Sequence, residues 1–386
     1  MKVGCFIPYF SVLSQTFLYE FVVAMGNETD VEPVVLTWER LNETDRPFSP
    51  VHVLPRPSKQ SLFGIRAATL FSPKGPRGLP LTPFEKETAR MIESLELDLV
   101  HVQFGPTAVT LHRVLDSLEL PMVVSLRGRD ASAKLRKARW QWLYRQAFQK
   151  SDAVTCVSPH LCDNVSALLP ADREPLFIPA GKDQDDIPFR PVHRSPQRLL
   201  SVGRLVDKKG HDDAIRTVRD LHDRGRPATL SIIGEGPMES QLRELVKELY
   251  LTEYIDFRGA QAFSEVMTAM REHDCLIVSS RTGDNGDTEG IPNVLKEAQL
   301  SGLPVVATQH GGIPHAVPPE HRDDLVPERS PSALATAIQH LRTLSDEELN
   351  ERVRSAREFM ERNFSRQAEI ERYSQLYRNI LEARAA

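Results

Sequence analysis

Two glutamates eight positions apart, Glu289 and Glu297, bracket an apparent helix start in TEGIPNVLKEAQLSG (288–302). Pro292 stands where a helix would begin, because a first turn does not need the missing N–H. The free amides of Gly290, Ile291 and Asn293 would then face one side as an anion site. Eight residues make two turns and a little more, so Glu297 would lie roughly 80° around the helix from Glu289. Carboxylate oxygens accept from vicinal hydroxyls, so the pair suits a ribose or a hexose. An exposed helix face carrying two glutamates is the alternative.

A cationic group precedes them. In VGRLVDKKG (202–210) a strand ends at Gly203, and Arg204 and Lys209 follow on the loop into a helix. Open α/β sheets bind ligands at the carboxyl ends of their strands. Arg by bidentate contact and Lys as a point charge suit a diphosphate there, two solvated cations being the other reading. IIGEGP (232–237) places Gly234 in a strand–turn–helix, but the third glycine of a dinucleotide fingerprint is missing. Gly311 and Gly312 form another tight loop after a strand ending at Thr308. The acidic stretch RTGDNGDTE (281–289) looks calcium-like, yet it lacks the twelve-residue ligand pattern and reads as a polar loop.

The elements that must position these residues are apolar runs of strand length alternating with helix-length segments. Strands are predicted over 2–7, 31–37, 97–103, 121–126 and 152–158, then over 198–203, 228–234, 254–259, 275–280 and 303–308. Helical patterns fill 107–118, 132–149, 159–169, 211–223, 238–249, 263–271 and 292–301, and everything from Ser332 onward. Val/Ile/Leu runs without alternation belong to strands covered on both faces, and their alternation with helices implies parallel βαβ sheets. Two such sheets fit 386 residues. Residues 184–197, with three prolines and little apolar periodicity, read as the linker between them.

Composition excludes several classes. With 26% charged and 40% hydrophobic residues the chain is an ordinary globular sequence. No apolar run reaches the roughly 18 residues that span a bilayer, and the N-terminus reads as a first strand rather than a signal peptide. Cys5, Cys156, Cys162 and Cys275 form no C-x-x-C pair and read as reduced core thiols of a cytoplasmic protein. A net charge of −5 argues against nucleic acid as a partner. That average hides eight basic residues and one acid in the window 127–150, which also carries Trp140, Trp142, Tyr144 and Phe148. Such a helix could lie on an anionic membrane surface, or could turn its aromatics inward as an ordinary surface helix. SLFGIRAATLFSPKGPRGLP (61–80), apolar and basic, is a second candidate for lipid or acceptor contact, a mobile loop being the alternative.

Together and in this order, VGRLVDKKGHDDAI, LSIIGEGP, the Glu-x7-Glu window and GLPVVATQHGGIPHAV make the second half resemble the nucleotide-binding domain of glycosyltransferase family 4. These are retaining enzymes of the GT-B fold. The resemblance implies two Rossmann-like parallel-sheet domains facing a central cleft. Residues 1–183 would be the acceptor-side domain, 198–364 the nucleotide-sugar domain, and 365–386 a C-terminal helix crossing back to the first. It implies that Arg204 and Lys209 hold the donor's diphosphate and neutralise the departing nucleotide. Glu289 would contact hydroxyls of the transferred sugar and Glu297 those of the ribose. Gly234 and the amides around Gly290, Ile291 and Asn293 would line the donor, and the loop from Arg258 to Gln261 would hold the base. Such enzymes need no metal or cofactor, and the leaving phosphate serves as base in a front-side attack.

The first half resembles, more loosely, the colanic-acid and exopolysaccharide branch of that family. The matching segments are PYFSVLSQTFLYEF (8–21), HVQFGPTA (101–108), VSLRGRDAS (124–132) and FIPAGKD (177–183). The resemblance puts Ser14, Gln15, His101, Gln103, Arg127 and Asp130 on the acceptor side. Arg127 stands where many relatives have a His, and an Arg is no base at neutral pH. It could pair with a phosphate, or equally with Asp130 or another neighbour; His101 could be a satisfied structural histidine. The implied activity is hexosyl transfer from a nucleotide sugar to a saccharide or polyprenyl-linked acceptor at the inner membrane face. A soluble acceptor, a non-catalytic sugar-nucleotide binder and a nicotinamide enzyme are the alternatives weighed.

Overall fold

The computed structural model describes residues 1–12, 16–71, 80–185, 187–190 and 196–385. It forms two compact units, Met1–Gly181 with Arg366–Ala386, and Lys182–Ser365.

Unit 1 contains β1 (Lys2–Phe6), β2 (Tyr9–Phe10), β3 (Glu32–Thr37), β4 (Glu39–Arg40), β5 (Val51–Val53), β6 (Leu99–Gln103), β7 (Met122–Leu126), β8 (Ala153–Cys156) and β9 (Leu176–Phe177). Seven of them pair in the order β5-β3-β1-β6-β7-β8-β9, every pair parallel, and β2 and β4 form a small separate ribbon. Every residue of β6 and β7 is buried, which is why both read as unbroken apolar runs. Ahead of β6 the chain forms three helices outside the predicted set: Thr16–Glu28, Lys59–Phe71 and Pro83–Glu93. The last has a capping box, Thr82 accepting from the Glu85 amide while Glu85 accepts from that of Thr82. Helix Lys59–Phe71 occupies the first part of the 61–80 segment; residues 72–79 lie outside the described residues.

Unit 1 is completed by the C-terminal helix Arg366–Ala385. Its Ile370, Tyr373 and Tyr377 share a core with Val3, Cys5, Phe21 and Val35. Polar bonds sew it down: Glu369 accepts from the Gly181 amide at 2.8 Å and Arg366 pairs with Glu20 at 2.8 Å.

Unit 2 contains β10 (Arg198–Val202), β11 (Thr229–Ile233), β12 (Ile255–Phe257), β13 (Cys275–Val278) and β14 (Val305–Ala307). They pair in parallel in the order β12-β11-β10-β13-β14. The direction of the chain's progress across the sheet reverses between β10 and β13. The loops leaving those two strands diverge to opposite faces, opening a crevice at their carboxyl ends. Helices His211–Asp223, Glu239–Glu248, Phe263–Glu272, Asn293–Ser301, Pro331–Thr343 and Asp346–Phe364 cover the sheet. Among the described residues no helix is long and apolar enough to cross a membrane, and all four cysteines are free and buried.

Candidate active site

The crevice of unit 2 is built by backbone fitted to backbone. Gly234 has φ +143°, and a Cβ there would lie 1.9 Å from the carbonyl oxygen of Gly203. Only glycine lets the loops after β10 and β11 meet this closely. On the other side, a Cβ at Gly311 (φ +53°) would lie 2.4 Å from the carbonyl oxygen of Glu289. The Gly312 amide donates to the Gly290 carbonyl at 2.8 Å, so the loop after β14 braces the acidic loop after β13.

Into this frame come Lys208, Lys209 and Glu289, with Asp287 beside them. Lys209 Nζ lies 3.2 Å from Glu289 Oε1, and Lys208 Nζ lies 3.4 Å from the same oxygen and 3.2 Å from Asp287 Oδ1. Burial alone would raise the Glu289 carboxyl, but Lys209 and then Lys208 outweigh it and hold it at about 2. Glu289 is therefore an anion at any physiological pH. Its backbone is positioned by His310: the Glu289 amide donates to Nε2 at 3.0 Å, and Nδ1 lies 2.5 Å from Glu328 Oε1. Since Nε2 accepts, the ring proton sits on Nδ1 and is donated to Glu328.

The other residues expected to line the donor stand apart from that trio. Arg204 is exposed on the loop after β10. Arg258 pairs with Asp256 at 3.0 Å and reaches Glu272 at 3.9 Å. Gly290 and Ile291 precede helix Asn293–Ser301, and Asn293 opens it, where amides lack intrahelical partners. Glu297, one turn into the helix, lies 3.5 Å from Lys182 Nζ. The polar loop 281–289 is anchored rather than free. Arg281 binds Asp207, Asp212 and Asp213 at 2.7, 3.0 and 2.8 Å, and Asp287 is taken by Lys208.

In unit 1, His101, Gln103 and Arg127 form one network at the ends of β6 and β7. His101 is fully buried; its Nε2 lies 2.6 Å from Ser125 Oγ and its Nδ1 2.6 Å from Tyr377 Oη. Burial, then the Arg127 charge, holds this imidazole well below its ordinary value and so neutral. Arg127 donates from Nε and Nη2 to Gln103 Oε1 at 3.0 and 2.8 Å, and its Nη1 lies 4.0 Å from Glu369. Asp130 does not bind that guanidinium; its carboxylate accepts backbone amides from Arg127, Gly128 and Gly105. Ser14 and Gln15 lie outside the described residues.

Within the basic window, Tyr144 and Phe148 of helix Ala138–Gln149 are fully buried, and Trp140 and Trp142 pack partly buried against the same core. The exposed remainder includes Lys137, Arg139 and Arg145.

Sequence reading singled out Lys209 and Glu289, which the structure joins, but missed Lys208, Lys182, His310, Glu328 and Glu369. The KK doublet was a local signal; the others are brought in only by tertiary packing.

Residues 16–181 match the glycosyl transferase 4-like domain and residues 183–358 the glycosyl transferases group 1 model. WcaL of Escherichia coli, named as a colanic acid biosynthesis glycosyltransferase, is 29% identical over 399 residues, covering 95% of this chain and 97% of WcaL. AmsK of Erwinia amylovora, named as an amylovoran biosynthesis glycosyltransferase, is 29% identical over 248 residues, covering 64% of this chain and 61% of AmsK. Among solved structures, Anabaena HepE in complex with UDP and glucose superposes with a TM-score of 0.75 at 16% identity, over 98% of this chain and 100% of that one. Two all-parallel, Rossmann-like units of this order are the GT-B fold of glycosyltransferases. The chain is a glycosyltransferase built of a 4-like domain followed by a group 1 domain.

Proposed function

We propose that this glycosyltransferase is a retaining, metal-independent hexosyltransferase of polysaccharide biosynthesis. It takes a hexosyl unit from a nucleotide-diphosphate sugar and delivers it to a glycan or lipid-linked saccharide. The observation that carries the reading is the Lys208–Glu289–Lys209 cluster, set at the carboxyl ends of β10 and β13. A diphosphate arriving there meets Lys209 and Arg204, whose charges stabilise the departing nucleotide most as its negative charge develops. Glu289, ionised throughout, accepts from a hydroxyl of the transferred sugar. The acceptor oxygen bonds to the anomeric carbon on the face the phosphate leaves, and its proton passes to that phosphate oxygen. HepE, solved with UDP and glucose, shares the fold and supports a nucleotide-sugar donor.

On the acceptor side, Arg127 supplies a cation for an acceptor phosphate, with His101, Gln103 and Asp130 holding it in place. Work at the inner membrane face would rest on the exposed cations Lys137, Arg139 and Arg145, each adding about 1 kcal/mol near an anionic surface. The inward packing of Tyr144 and Phe148 favours the second reading, a soluble acceptor.

A thermal-shift panel of nucleoside diphosphates and nucleotide sugars, run with EDTA, tests the donor reading by mass action. Stabilisation by one nucleotide sugar is expected; no response to any would sink it. Binding to anionic vesicles at low but not high salt separates the two acceptor readings.

A further inference from the structure

We propose that Lys182 is a positioning residue for the nucleoside half of the donor: its ammonium, wedged between the Glu297 carboxylate and the Phe263 ring, orients Glu297 to accept from the vicinal hydroxyls of a ribose. This rests on the reading of Glu297 as a ribose acceptor and names what holds that acceptor in place.

The geometry is specific. Lys182 Nζ lies 3.5 Å from Glu297 Oε1, and the two side chains are only 8% and 12% exposed. A carboxylate so sheltered needs a nearby cation to stay charged. The same ammonium stands 4.2 Å from the centre of the Phe263 ring, an attraction that fixes where the cation sits. Phe263 opens helix Phe263–Glu272, directly after the Arg258–Gln261 loop assigned to the base. Lys182 thus touches the ribose-side acid and the residue adjoining the base loop at once.

The backbone that carries Lys182 is itself anchored. Its amide donates to the Phe364 carbonyl at 2.9 Å, and it pairs in parallel with Ser365. Lys182 belongs to FIPAGKD, which the sequence resemblance assigns to the acceptor side; its side chain lies instead in unit 2 beside Glu297. An aliphatic residue here would leave Glu297 without this counter-charge.

Calorimetric titration of the full chain with UDP and GDP, each beside its 2′,3′-dideoxy form, tests the idea on wild type, Lys182→Met, Lys182→Arg and Glu297→Gln. Wild type should prefer the ribonucleotide by about tenfold or more. Glu297→Gln and Lys182→Met should both bring that preference close to one. Lys182→Arg should keep most of the preference, and Lys182→Gln replaces Lys182→Met should the latter not fold. A Lys182→Met that retains the wild-type preference, or weakens both nucleotides equally, overturns the proposal and leaves Glu297's role standing. A Glu297→Gln that retains the preference, or a wild type that binds neither nucleotide, overturns the underlying reading as well.

Discussion

The backbone amide of Glu289 donates to Nε2 of His310 at 3.0 Å, so a histidine from the loop after β14 fixes the height of an acid on the loop after β13. The ring cannot rotate away, because Nδ1 is tied to Glu328, which also accepts from the Thr282 amide at 2.9 Å. His310→Ala should therefore lower kcat about tenfold through misplacement of Glu289. His310→Gln, whose side-chain oxygen can reach the same amide, should recover most of it. Steady-state rates of both variants decide, and equal losses would remove His310 from this role.

Glu289 itself bears the larger consequence. Glu289→Gln keeps the shape but not the charge between Lys208 and Lys209. Turnover should fall about a hundredfold or more, in line with losing a preorganised electrostatic contact, while nucleoside diphosphate affinity stays within severalfold. Paired measurements of kcat and nucleotide Kd check this. Near-full turnover would show that Glu289 does not touch the reacting sugar.

Three buried histidines set an acid limit on stability. Burial holds His112 and His211 at about 4 and His101 well below its ordinary value. Unfolded, each titrates near 6.5, so between roughly pH 6.5 and 4 the unfolded chain binds protons that the folded chain refuses. Stability should thus be level above that window and fall as pH drops through it. His112→Leu removes one such group and should flatten the pH dependence of the urea midpoint by up to one proton, about 1.4 kcal/mol per pH unit. An unchanged slope contradicts the assignment.

Tyr377 on the C-terminal helix lies 2.6 Å from His101 Nδ1. Tyr377→Phe leaves that nitrogen buried without its partner, which costs about 1–3 kcal/mol. Denaturant unfolding should show unit 1 destabilised by that amount, with nucleotide affinity unchanged. A loss of nucleotide affinity with no change in stability would be the opposite result.

Much of the scaffold is legible in the chain because parallel strands covered on both faces must be apolar throughout. Leu99–Gln103 and Met122–Leu126 are examples, and the loops at their carboxyl ends inherit the ligand-facing positions. Gly234 could be singled out because it follows a strand directly, and Lys209 because it lies on the loop from a strand into the next helix. Helix Thr16–Glu28 was harder, since its aromatic and β-branched residues resemble strand as much as helix. Pro83–Glu93 did carry a readable start in Thr82 and Glu85. His310, Glu328 and Lys182 were invisible for a different reason. A histidine 21 residues beyond the glutamate it supports, or a lysine more than a hundred before the one it meets, leaves no periodic trace.

The assignment of Arg366–Ala385 to the first unit has a consequence for how the chain is made. Unit 2 is an insertion in unit 1, its two ends clasped at Lys182 and Ser365. A ribosome therefore finishes the whole inserted domain before it supplies Ile370, Tyr373 and Tyr377. Until then the older domain waits with an open wound, its Val3, Cys5 and Phe21 unsealed and His101 without its phenol. Unit 2 can mature first, and the first-born half of the molecule is the last to close.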